Sequence, residues 1–149
     1  MSDESWKNAM IELQAAQEAF MNADAGPLQA LFSHAEDVTV MGGFGGVERG
    51  WAEVRPRLAW AASHFHGGAY SQRVVTATVG QEVACLVSLE RWARAGPDGH
   101  SLPPLDLRVT QTFRLEDGRW RLVHRHADEL VEKREPQSSP TSEALGKPR

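Results

Sequence analysis

The sequence predicts an α+β fold, in which three amphipathic helical segments come first and a run of long strands follows. Three observations carry that prediction. Apolar residues recur at helical spacing through the first third of the chain. Beyond Gly67-Gly68 the period falls to two, and Asp117-Gly118 joins the last two alternating runs as a tight hairpin. Strands linked by hairpin-scale connections pair antiparallel, so the sheet is mostly antiparallel and the helices cover its apolar face.

The first helix rests on Trp6, Met10, Leu13 and Phe20, which with Ala9 and Ala16 make one apolar stripe of about four turns. Ser2 or Asp3 can cap it, and Glu4 suits its first turn. The run from Asn22 to Gly26 breaks it. Pro27 then opens a short second helix carrying Leu28, Leu31 and Phe32. Asp37 to Met41 is a β-branched strand. Gly42-Gly43-Phe44-Gly45-Gly46 follows, without the Lys and Ser/Thr of a phosphate loop or the spacing of a dinucleotide site. It reads as a mobile turn at a pocket mouth, with Phe44 able to swing over it.

A third helix is expected from Trp51 to Phe65, where Pro56 implies a kink or a start near Arg55. Long strands are expected over 70–79, 82–93, 107–114 and 119–130. The Gly96-Pro97-Asp98-Gly99 cluster and Pro103-Pro104 form the loop between the second and third of these. Residues 1–131 make a single domain on this reading. Residues 132–149, rich in Ser, Pro and charge, make a disordered polar tail.

Composition excludes several function classes. With 149 residues, 41% of them apolar, the chain can build one core. A net charge of -4 gives no basic footprint for nucleic acid, and Arg119, Arg121 and Arg125 alternate along a strand as solvated positions. The single Cys85 rules out an intrachain disulfide framework and a Cys-based zinc site; within VACLV it reads as a small buried hydrophobe. No stretch reaches the ~18 apolar residues of a membrane span, and the N-terminus has no basic-then-apolar leader pattern. The expectation is a cytoplasmic protein with no cofactor, no nucleic acid and no membrane partner.

Strand alternation nominates the site. Leu107, Val109, Gln111, Phe113 and Leu115 share a face, and Gln111 is the polar exception in it. A two-residue turn at Asp117-Gly118 sets Leu115 opposite Trp120, Phe113 opposite Leu122 and Gln111 opposite His124, which brings His124 and His126 inward. A three-residue loop would send Val123 and Arg125 inward instead. The neighbouring strand offers two sets, Leu86, Ser88, Glu90 and Trp92 or the more apolar Cys85, Val87, Leu89 and Arg91. Glu90, if buried near His124, would be a raised-pKa acid or base. His124, His126 and Asp128 could hold a metal, but same-face positions on one strand spread over about 13 Å, so no metal site is assigned. His64-x-His66 reads as a solvated helix end.

The order of elements, with Trp6, DVTVMGGFGG, Gly50-Trp51 and the closing DGRWRLVHRHAD, resembles the nuclear transport factor 2-like superfamily. Within it the chain is similar to the SnoaL-like, ketosteroid isomerase-like branch that includes the association domain of calcium/calmodulin-dependent kinase II, whose third strand EVACLVSLE resembles. The resemblance spans roughly residues 5–130. It implies a cone-shaped fold of three N-terminal helices on a curved, mostly antiparallel sheet, a conical cavity, and dimers formed through the sheet's outer face. Its members include isomerases, cyclases, dehydratases and proteins without catalysis. The steroid isomerases use a pocket carboxylate as base, and no carboxylate here aligns with it. The kinase association domain lines its pocket with arginines, and Gln111 and Glu90 stand where two of those would be.

The function expected is therefore binding of a small, partly apolar organic ligand by a homodimer. Trp6, Phe44, Trp51 and Trp92 would supply apolar surface, and Arg108, Gln111 and His126 polar contacts, with Glu90 and His124 the candidate catalytic pair. An isomerase, dehydratase or cyclase using Glu90 or His124 as base, and an oligomeric assembly module, are the alternatives.

Overall fold

A computed structural model describes residues 2–136, the side chains of residues 2 and 3 excepted, so the capping expected of Ser2 or Asp3 and most of the tail lie outside the described residues. The elements run α1 (Ser2–Met21), α2 (Gly26–Leu31), β1 (Thr39–Gly42), β2 (Gly45–Arg49), α3 (Trp51–Ala62), β3 (Gly68–Val79), β4 (Val83–Arg94), β5 (Leu105–Glu116) and β6 (Arg119–Glu129). All strands join one sheet in the order β2-β1-β6-β5-β4-β3. It is mixed but mostly antiparallel, because among the described strand pairs only β1–β6 is parallel.

The helices are not all N-terminal to the sheet, since the β1–β2 hairpin separates α2 from α3. β2 itself was hidden by its glycines. Gly45 and Gly46 sit at φ 89° and 82°, values that disguise a strand start as a turn. α3 stops at Ala62 rather than Phe65, and Phe65 instead folds back into the core. Pro56 lies inside α3 without ending it. Gly50 precedes the helix at φ 84°, and a Cβ there would lie 3.2 Å from the Glu36 carbonyl oxygen, so the Gly-Trp start is a steric requirement.

The apolar stripe of α1 behaves as its spacing dictates. Ala9, Leu13, Ala16 and Phe20 are buried against one sheet face in a core that includes Leu86, Val109, Phe113, Trp120 and Leu122. Each such large side chain removed from water contributes about 1.5–3 kcal/mol. Gln17 lies on the same stripe and is equally buried.

One face that alternation left open is now defined, and one departs from expectation. On β4 the inward set is Ala84, Leu86, Ser88, Glu90 and Trp92, leaving the more apolar Cys85, Val87 and Leu89 on the outer face. On β6 the turn forms as the Asp-Gly pair predicts, with Asp117 and Gly118 at φ 50° and 77°. Leu115 then faces Trp120 and Phe113 faces Leu122, but the next pair is Thr112 with His124. Val123 is an extra residue, a β-bulge, and it inverts the side-chain parity of everything after it. Arg125, not His124, therefore stands inward opposite Gln111, and His124 and His126 turn to the outer face.

Candidate functional site

The inner face of the sheet carries a polar seam inside an apolar core. Glu90 on β4 and Arg125 on β6 form an ion pair whose side chains are 0% and 9% exposed. Arg125 Nη2 donates to Glu90 Oε1 at 2.7 Å and Nη1 to Oε2 at 3.0 Å, the two-pronged geometry that suits guanidinium to carboxylate. Trp92 Nε1 donates to Oε1 at 3.0 Å and the Tyr70 hydroxyl to Oε2 at 2.9 Å. Each carboxylate oxygen thus accepts two hydrogen bonds. Arg125 Nη1 also donates to Gln111 Oε1 at 3.1 Å.

The small side chains explain how Arg125 crosses the sheet. It starts opposite Gln111, while Glu90 lies opposite Leu107, so the arginine must run diagonally over β5. Val109 and Ala127, paired across β5 and β6 at the level between, leave room for it. Burial alone would push the Glu90 carboxyl up. The charge of Arg125 and the donors of Arg125, Trp92 and Tyr70 outweigh that, and hold it below its ordinary value. This corrects the expectation of a raised-pKa acid. Burial, with the negative Glu90 beside it, pushes the Tyr70 hydroxyl far up, so Tyr70 stays a donor.

Beside the seam opens a recess with about 70 Å³ of interior space, lined by Gln17 and Phe20 of α1, Leu58 and Ala61 of α3, Phe65, Trp92, Leu107 and Arg125 among others. Its wall is an aromatic box. Trp92 packs against Phe65 at 5.0 Å, Tyr70 at 4.8 Å and Phe20 at 5.9 Å between ring centroids. Phe44, at the tip of the β1–β2 turn, also lines it and rests on Trp60 and Phe65 at 5.8 and 6.0 Å. Arg57 fastens that turn from α3, donating to the Gly45 carbonyl at 3.1 Å while its guanidinium lies 3.9 Å above the Trp60 ring.

Of the residues expected to form a site, Phe44 and Trp92 line this recess, and Glu90 and Gln111 belong to the seam beside it. The others lie elsewhere. Trp6 packs edge-on to Phe113 and Trp120, at 5.1 and 5.8 Å, in another part of the core. Trp51 stacks on His34 at 4.0 Å. Arg108 pairs with Asp128 on the outer face at 2.9 Å, beside His126. His124 shares a 2.7 Å hydrogen bond with Thr39 Oγ1, and partial burial, with His126 nearby, lowers its pKa. His64 donates to the Trp60 carbonyl just past α3. Sequence reasoning missed Gln17, Arg57 and Tyr70, and reached Arg125 only through the alternative loop. One signal was available: an inward Glu90 requires a cation on the same face.

The chain matches the SnoaL-like domain over residues 12–128. No curated protein matches it. Among solved structures it is similar to a candidate dehydratase of the nuclear transport factor 2-like family from Streptomyces avermitilis, with 18% identity and a TM-score of 0.69 over 89% of this chain and 100% of that one. It is also similar to a candidate calcium/calmodulin-dependent protein kinase type II association domain from Thiobacillus denitrificans, at 19% identity and a TM-score of 0.66, covering 84% and 94% of the two chains. A nuclear transport factor 2-like superfamily protein from Salmonella enterica aligns at 15% identity and a TM-score of 0.68 over 89% and 99%. At such identities these likenesses speak to fold alone. The family match itself spans most of the sequence, and the chain belongs to the SnoaL-like domain family.

Proposed function

We propose that this protein binds a small, mostly apolar organic molecule in the recess between α1, α3 and the sheet, which curves around α1 as the wall of a cone. The observation that carries the proposal is an apolar, aromatic-walled hollow with the charged side chain of Arg125 at its inner wall and an aromatic ring, Phe44, at its edge. Convergent polar groups in an apolar concavity are the usual mark of a ligand site. The present interior of about 70 Å³ falls short of the ~300–1,000 Å³ of drug-sized sites. Outward rotation of Phe44 on its flanking glycines enlarges it.

A thermal-shift screen of small organic compounds tests this, because selective binding to the folded state raises the melting temperature. A compound that stabilises the wild type should lose its effect in Ala61→Trp, which fills the recess. Persistence of the shift in that variant, with its fold intact, would overturn the assignment. Catalysis with Glu90 as general base has no support in this geometry, since both of its oxygens are already committed to two donors each.

We also propose that a second copy covers the outer sheet face. There Val75, Val87 and Leu89 line a shallow depression together with Arg108, Thr110, His126 and Asp128. Sedimentation should show a dimer that Val87→Asp dissociates. A monomeric wild type at micromolar concentration would refute it.

A further inference from the structure

The polar groups around the recess have an asymmetry that bears on what it accepts. A guanidinium carries five N–H donors and no acceptor. Arg125 commits three of them, two to Glu90 and one to Gln111, and the other two have no partner among the described residues. Gln17 reaches the recess from α1, 1% exposed, and its Nε2 has no hydrogen-bond partner. Gln111 Nε2 and Ser88 Oγ, on neighbouring inward positions of β5 and β4, are also buried without partners. The orientation of the Gln111 amide is fixed by chemistry. The atom facing Arg125 must be its oxygen, because arginine cannot accept, so the orphan is a true donor. The unmet groups whose character chemistry fixes around this seam, on Arg125 and Gln111, are therefore donors.

The charge balance is just as specific. Arg125 is neutralised by Glu90, and Arg57, the other cation of the lining, lies 3.5 Å from Glu48. The recess therefore has donors to offer and no net positive charge. A carboxylate seated on the free edge of Arg125 would stand a few ångströms from Glu90 in a region shielded from water, where like charges repel strongly. A neutral carbonyl oxygen accepts two hydrogen bonds without that repulsion.

Building on the binding role proposed above, we infer that the ligand is an uncharged molecule bearing a carbonyl-type acceptor, a ketone, ester or amide on a compact hydrocarbon frame. The acceptor meets the free N–H groups of Arg125, and the frame lies among Phe20, Leu58, Phe65, Trp92 and Leu107. Organic acids are selected against.

Three probes of one skeleton separate the possibilities: cyclopentanone, cyclopentane and cyclopentanecarboxylate. Each is titrated into the full-length protein while the Trp92 indole N–H resonance is followed, since that group lies in the wall and donates to Glu90. Cyclopentanone should saturate with a Kd at least tenfold below those of the other two. In Glu90→Gln the ratio of carboxylate to cyclopentanone affinity should rise at least tenfold, because Arg125 is then unneutralised. Where that variant does not fold, the wild-type ranking stands as the test. Cyclopentane binding as tightly as cyclopentanone would leave the recess a ligand site and refute the acceptor inference. Tighter binding of the carboxylate would refute the exclusion of acids. Failure of all three to perturb Trp92 would overturn the binding site itself, and this inference with it.

Discussion

Replacing Arg125 with methionine keeps most of the unbranched stem and removes the guanidinium, the only cation among the described residues that touches Glu90. The carboxylate, 0% exposed, loses hydrogen bonds of 2.7 and 3.0 Å and retains only the neutral donors Trp92 and Tyr70. Leaving one partner of a buried pair uncompensated costs about 3–5 kcal/mol, a large share of the roughly 5–15 kcal/mol that stabilises a domain. The pH dependence should change sign. In the wild type Glu90 is held below its ordinary value, so its contribution is complete above the unfolded carboxylate pKa of about 4.3 and is lost as pH falls through the folded value. In Arg125→Met, burial acts without its counter-charge and raises the folded pKa. The deficit is then greatest at neutral pH and shrinks as acid protonates Glu90. Urea denaturation at pH 7 and pH 5 reads the variant's deficit and its relief, since the wild-type contribution is complete at both. The double variant Glu90→Leu/Arg125→Met should be more stable than Arg125→Met alone. A cost below about 1 kcal/mol at pH 7, or one that grows toward pH 5, would refute the reasoning.

Two further predictions follow from the same geometry. Tyr70→Phe removes a 2.9 Å hydrogen bond to a charged acceptor and should cost about 1.5–3 kcal/mol, read as a lower denaturation midpoint at unchanged slope. Deleting Val123 removes the bulged residue and restores a regular ladder in which Trp120, Leu122 and Arg125 all still face inward. That deletion should therefore keep the native fold by circular dichroism and retain most of its stability. Deleting Thr110 on the partner strand shifts the parity and should unfold the chain; equal damage from both would contradict the bulge.

The larger elements were legible because each rests on a periodicity or a steric demand. The α1 stripe, the Asp117-Gly118 turn and the Gly50-Trp51 helix start all have local signatures. The bulge has none: valine is an ordinary strand residue, and one extra position changes no local preference while reversing every face beyond it. That single residue exchanged His124 and His126 for Arg125 in the reading of the site. The β4 faces stayed open for a different reason. The inward face holds Ser88 and Glu90 because Arg125 arrives from two strands away, and such long-range compensation leaves no trace in alternation. Gln17 was equally hidden, as one polar residue on an apolar helix stripe.

A crystal structure of the protein soaked with cyclopentanone bears most directly on the central claim. The carbonyl oxygen should lie within about 3 Å of an Arg125 nitrogen, with the Glu90–Arg125 pair intact and the Phe44 ring displaced outward. A ketone found only on the outer face of the sheet, with the recess unchanged around Trp92, would contradict it.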